Sequence, residues 1–174
     1  MNRRKFLAFT IASSAMAPWR PAAALGEASR ALAFRSLHTE ERLSVIYWRD
    51  GDYVPDALER IAEVLRDHRS GEARQIEPAL LDLLHELLGR LETDAPFEVI
   101  SAYRSPGTNE AMRAAGRGVV SNSLHTVGKA IDVRVPGRTL EAVRDAALAL
   151  ARGGVGYYPQ DGFVHVDIGR VRRW

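Results

Sequence analysis

The period of the hydrophobic residues changes along this chain, and that change constrains the fold more than any other feature. In the first half, apolar residues recur at helical spacing. Leu58, Ile61, Ala62 and Leu65 share one face, and Pro55 suits a first helical position, so a helix is predicted over 55–68, ended by Ser70-Gly71. A second helix is predicted over 77–91, with Leu80, Leu84, Leu87, Leu88 and Leu91 on one face and Leu81 and Leu83 widening it. The last third reads differently. Short apolar runs at 130–135, 155–158 and 163–168 have the length and flanks of strands, and the turn Pro159-Gln160-Asp161-Gly162 joins the last two. Between these halves lie a predicted strand at 97–101 and a helix over 106–115 closed by Gly116. A further helix is capped by Thr139 and runs through Ala151. Residues 33–38 and 43–49 read as a hairpin joined by Thr39-Glu40-Glu41-Arg42. Helices early and strands late predict an α+β fold rather than a doubly wound sheet.

Composition removes several function classes. The chain has 174 residues and no cysteine, which excludes disulfide scaffolds, cysteine zinc fingers, iron–sulfur clusters and thiol nucleophiles. Its formal charge of +2 is misleading. Arg3, Arg4, Lys5 and Arg20 stand in the first 24 residues without an acid, which leaves 20 basic against 22 acidic residues for 25–174. The folded part therefore has no bulk basic footprint for nucleic acid. The late cluster Arg170, Arg172 and Arg173 reads as a solvated chain end.

Asn2-Arg3-Arg4-Lys5-Phe6-Leu7 resembles the twin-arginine export motif. The apolar stretch Phe6 to Ala17 that follows is shorter than the roughly 20 residues of a membrane span. Ala22-Ala23-Ala24 is the best cleavage site. The expected organisation is a signal peptide over 1–24 and one domain over 25–174. The resemblance implies export to the bacterial periplasm, with a membrane tether only where the signal stays uncleaved.

Chemistry concentrates in Ser123-Leu124-His125-Thr126-Val127-Gly128-Lys129-Ala130-Ile131-Asp132 and in His165-Val166-Asp167. Strand alternation turns Asp132 away from Ile131 and Val133, and puts His165 and Asp167 on one face opposite Val164 and Val166. His125, Asp132 and His165 thus form a candidate metal site. Imidazole and carboxylate suit zinc, and a catalytic zinc takes three protein ligands and leaves a position for water. Spacing alone leaves a hydrogen-bonded structural group equally open. Ser101-Ala102-Tyr103-Arg104-Ser105, where a strand gives way to a loop, is a good place to project an arginine into a site.

The pattern Ser-x-His-x-x-Gly-x-Ala-x-Asp, met at Ser123, His125, Gly128, Ala130 and Asp132, resembles the signature of the hedgehog/DD-peptidase superfamily of zinc peptidases. Ser101 to Ser105, Gly154 to Pro159 and Phe163 to Asp167 fit the same superfamily, and the set looks most like exported murein endopeptidases of Gram-negative bacteria. The resemblance implies a small antiparallel sheet carrying the zinc, with helices packed on one side. It also implies one Zn2+ per chain on His125, Asp132 and His165, and peptide cross-links of peptidoglycan as substrate.

Arg104 would then stabilise an oxyanion or clamp a substrate carboxylate. Ser123, Tyr103 and Tyr158 would contact substrate, with core packing an equal alternative for the tyrosines. Relatives with a glutamate three residues before the last zinc histidine differ from this chain, which has Gly162 there. Asp167 is then the first candidate for the general base, with Asp161 beside the vacant position. Two alternatives stay open for Asp167: an orienting partner of His165, or, as in relatives ending His-x-His, the ligand itself with His165 as base. Three functions remain in play: endopeptidase, carboxypeptidase trimming stem peptides with Arg104 or Lys129 as anchor, and a zinc-containing cell-wall binding module without turnover.

Overall fold

The computed structural model describes residues 28–174. The expected export segment, 1–24, lies outside them. Among the described residues, no helix is long and apolar enough to cross a membrane.

The elements run β1 (Ser29–Ser36), β2 (Arg42–Arg49), β3 (Asp52–Tyr53), α1 (Pro55–Val64), α2 (Pro78–Arg90), β4 (Phe97–Ser101), α3 (Pro106–Ala114) and a 3-10 turn (Leu124–Val127). After these come β5 (Ala130–Arg134), α4 (Leu140–Leu150), β6 (Gly154–Tyr158), β7 (Phe163–Asp167) and β8 (Arg172–Arg173). The fold is α+β. All eight strands join one sheet in the order β3-β2-β1-β4-β5-β7-β6-β8. The sheet is larger than the small antiparallel one expected. β1 pairs with β4 and β6 with β8 in parallel, while β4, β5, β7 and β6 form the antiparallel part.

Alternation along β5 and β7 divides that antiparallel part into a core face and a site face. Ile131, Val133, Val164 and Val166 are fully or nearly fully buried in the hydrophobic cluster that also holds the leucines of α2. α2 rests on β1 and α4, and α4 on β6 and β7. Leu80, Leu81, Leu83, Leu84, Leu87 and Leu88 are all buried, so α2 is covered on more than one side, as its widened apolar face predicts. α3 instead stands beside the site, with Met112 lining the cavity there.

Element ends differ from expectation where long-range contacts take over. α1 stops at Val64 rather than 68, because the chain beyond it turns so that Leu65 O accepts from Tyr103 N at 3.1 Å and Asp67 reaches Ser105. β1 begins at Ser29, four residues before the predicted strand, held by pairing with Arg49 and Trp48.

Candidate metal centre

Register assembles the site. Asp132 pairs across the sheet with His165 on one side and Ser101 on the other, and His165 pairs with Gly156. One row on the site face therefore reads Ser101, Asp132, His165, Gly156, and directly opposed side chains in such a row touch. His125 arrives from above this row on the 3-10 turn. That turn ends at Gly128, whose φ of 68° is left-handed.

The hydrogen bonds show which ring nitrogens face the centre of the cluster. His125 Nδ1 lies 2.7 Å from Ala102 O. A carbonyl only accepts, so Nδ1 carries the proton and Nε2 keeps its lone pair. His165 stands between two carboxylates, Nε2 3.1 Å from Asp167 Oδ2 and Nδ1 2.8 Å from Asp132 Oδ1; with Nε2 donating to Asp167, Nδ1 is the nitrogen that can face a cation. His125 Nε2, His165 Nδ1 and Asp132 Oδ1 converge. His165 Nδ1 is 2.8 Å from Asp132 Oδ1 and 3.2 Å from His125 Nε2, and His125 Nε2 is 3.4 Å from Asp132 Oδ1.

Two imidazole nitrogens and a carboxylate oxygen this close together need a proton or a metal ion between them. Ligands at about 2.0–2.1 Å around a tetrahedral zinc lie about 3.3 Å apart, so the observed triangle fits such an ion. All three residues are buried, at 4%, 6% and 9% exposure for His125, Asp132 and His165. Burial works against ionisation of Asp132, but His125 and His165 more than offset it and hold the carboxyl far below its usual range. Burial likewise opposes charging His165, and Asp132 and Asp167 outweigh it, so its pKa is raised. Both directions mark a place that wants a cation.

The triad lies on the floor of a cavity of about 820 Å³. Arg104, Ser123 and Tyr158 also line this cavity. Arg104 is 6% exposed. Its terminal nitrogens make only long bonds, to Asn109 Oδ1 at 3.3 Å and Ser101 Oγ at 3.4 Å, and its buried Nε has no partner among the described residues. Burial lowers its pKa, the field of Asp132 opposing. A buried guanidinium this poorly bonded is set to receive an anion.

Two expectations give way. Tyr103 does not face the cavity: it is buried in the hydrophobic cluster at 6% exposure, because the strand-end backbone turns it inward. Asp167 does not face the cleft with His165. It is wholly buried at the sheet end, where Gly154 N, Gly169 N and Arg172 donate to it as well as His165. Burial disfavours its charge, but those donors win and hold its carboxyl well below the ordinary range. A carboxylate so satisfied is a poor proton acceptor.

Other residues at the cavity were not foreseen. Arg172 is bound to Asp167 rather than solvated, and Trp174 lines the cavity with its ring centroid 5.3 Å from that of His165. Their stretch past Gly169 is too short for any periodicity to show. His38 and Arg69 also line it, and His38 stacks on His68 with centroids 3.8 Å apart.

Comparison with known proteins agrees with this geometry. A family model described as Peptidoglycan L,D-endopeptidase MepK (Peptidase_M15_2) matches residues 24–174. The Peptidoglycan L,D-endopeptidase MepK of Escherichia coli K12 is 39% identical over 176 residues, covering 99% of this chain and 97% of its own. The Probable peptidoglycan L,D-endopeptidase MepK of Haemophilus influenzae is 40% identical over 146 residues, covering 83% and 78%. With the whole folded region matched and the buried His-Asp-His cluster in place, the chain belongs to the MepK family of M15-type peptidases.

Proposed function

We propose that this chain is an exported zinc endopeptidase that cuts peptide cross-links in peptidoglycan. The observation that carries this reading is the convergence of His125 Nε2, Asp132 Oδ1 and His165 Nδ1 at the cavity. The names of the relatives point to an L,D bond, such as one diaminopimelate joined to another. The arginine pair Arg3-Arg4 supports export to the periplasm through the twin-arginine route.

His125, Asp132 and His165 would hold the zinc. When bound, zinc lowers the pKa of a coordinated water to about 7 and polarises a carbonyl oxygen. The remaining work falls to side chains. Arg104 receives negative charge from the substrate, either developing on the scissile carbonyl or resident on a stem-peptide carboxylate. Ser123 and Tyr158 border the path of the peptide. Asp167 holds His165 in one tautomer and one orientation. The proton acceptor is drawn from the imidazole and carboxylate groups that line the cavity and are not ligands, namely His38 and Asp161.

The test is digestion of purified cross-linked muropeptide dimers, with and without a chelator, products being identified by mass. Chelator-sensitive conversion of dimers to monomers is expected, and His125→Ala should lose more than about 100-fold of that activity while keeping its circular dichroism. Loss of single terminal residues would instead establish a carboxypeptidase. Intact dimers with a zinc-loaded protein bound to sacculi would establish a binding module.

A further inference from the structure

Beyond the three ligands, a fourth segment of the chain reaches the candidate metal centre. β8 runs parallel to β6, with Arg172 beside Gly154. Trp174 is tied to the same strand through Trp174 N to Val155 O at 3.2 Å and Tyr157 N to Trp174 O at 3.0 Å. From this anchored position Arg172 grips Asp167 with both terminal nitrogens, Nη2 to Oδ2 at 2.7 Å and Nη1 to Oδ1 at 3.2 Å. Asp167 Oδ2 is also the atom that accepts from His165 Nε2. A continuous charged chain thus runs from Arg172 through Asp167 to His165 and ends on Nδ1, which faces Asp132 and His125.

The indole of Trp174 completes the arrangement. Arg172 lies over it at 4.8 Å, its Nε1 donates to Tyr158 Oη at 2.7 Å, half its area remains open, and it lines the cavity. The neighbouring sequence leaves room for this packing. A Cβ at Gly154 would lie 2.5 Å from Asp167 Oδ2 and 2.6 Å from Arg172 Nη1, and one at Gly156 would lie 2.8 Å from the Trp174 ring.

We propose that Arg172 is a positioning residue of the metal centre, acting through Asp167 on His165, with Trp174 closing the same wall. The physical reason is the balance at Asp167. A wholly buried carboxylate is costly unless paired, and a bidentate guanidinium is the partner that both neutralises it and fixes its plane. With its plane fixed, Asp167 presents Oδ2 to His165 Nε2 in one direction, which aims Nδ1 at the metal position. Without Arg172, Asp167 retains two backbone donors but loses its counter-charge, and His165 is held by a looser partner.

This inference rests on the reading of the triad as a metal site, and the test separates the two. Zinc alone is titrated into the metal-free protein in competition with a chromophoric chelator. Arg172→Gln should weaken zinc binding by about 10–100-fold, the range for groups that orient a ligand histidine. Arg172→Lys keeps the charge but not the fork, so it should bind zinc with an intermediate affinity and unfold at nearly the wild-type temperature. It decides the matter if Arg172→Gln fails to fold. Zinc binding should also change the indole fluorescence of the wild-type protein, and Trp174→Phe should lose that change while keeping the affinity. Wild-type affinity in the folded Arg172 variants overturns the positioning role and leaves the metal site standing. Absence of zinc binding by the wild-type protein overturns both.

Discussion

Asp67 shows how a single residue outside the metal triad sets the site. It is 2% exposed, and its carboxylate accepts from Ser105 N at 2.9 Å and Arg69 N at 3.0 Å. It thereby pins the backbone directly after Arg104, the buried guanidinium of the cavity. Burial opposes its charge, but the bonds from Thr108, Arg69 and Ser105 win and hold its pKa well below the usual value. A depressed carboxyl contributes stability that is fully present above its unfolded pKa of about 3.9 and is lost as pH falls toward the folded value. Asp67→Asn should therefore cost about 1.5–3 kcal/mol at pH 7, the usual worth of bonds to a charged group. Urea unfolding at pH 7 and at pH 3 checks this: the variant should lie well below wild type at pH 7, and the gap should narrow but persist at pH 3. Equal stability at both would show that the pin is idle. Asp67 was not legible in the sequence, because its partner Ser105 is 38 positions away and nothing local marks it. Asp132 and His165 were legible, because strand alternation alone sets their face. Alternation failed for Asp167: it gives the side of a strand, not whether glycines and a later arginine cover that end of it.

Among the elements, the 3-10 turn that carries His125 is the least visible in advance and the most exacting. Four residues show no period, and the sequence marks only the glycine that ends them. Gly128 combines a φ of 68° with a tight neighbour, since a Cβ there would lie 2.5 Å from the backbone oxygen of Gln75. Its own carbonyl accepts from Glu77 N at 2.9 Å, which fastens the turn to the start of α2. Gly128→Ala therefore meets both a left-handed backbone penalty of about 1–2 kcal/mol and a clash with main chain that no rotamer relieves. Gly137→Ala has a similar φ of 75° and open space, so it isolates the first cost. Urea unfolding should show the Gly128 variant clearly less stable than the Gly137 variant. Zinc titration should show it alone weakened, because His125 moves with the turn. Parity between the two variants would mean that the turn has slack. The long amphipathic helices were read within a few residues of their ends. The two-residue strands β3 and β8 and the parallel pairing of β1 with β4 were not, since these exist only through partners supplied by the whole sheet.

At the scale of the whole molecule, the triad draws on three elements: the turn after α3, the middle of β5 and the middle of β7. In the metal-free protein a proton on His165 supplies the charge that Asp132 needs. Because the pKa of His165 is raised, that contribution is present below its unfolded value of about 6.5 and is lost as pH rises through the folded value. A bound ion replaces the proton above that range. Metal stabilisation should therefore grow with pH rather than stay constant. Zinc at 100 times its dissociation constant stabilises by about 2.7 kcal/mol. For a domain of this size that corresponds to a rise in melting temperature of roughly 5–10 °C. Melting curves with zinc and with a chelator, at pH 6 and pH 8, give the measurement. The gap should be several degrees at pH 8, smaller at pH 6, and abolished in His125→Ala at both. A gap independent of pH would mean that the ion does not compete with a proton on His165. A gap surviving in His125→Ala would place the ion elsewhere in the protein.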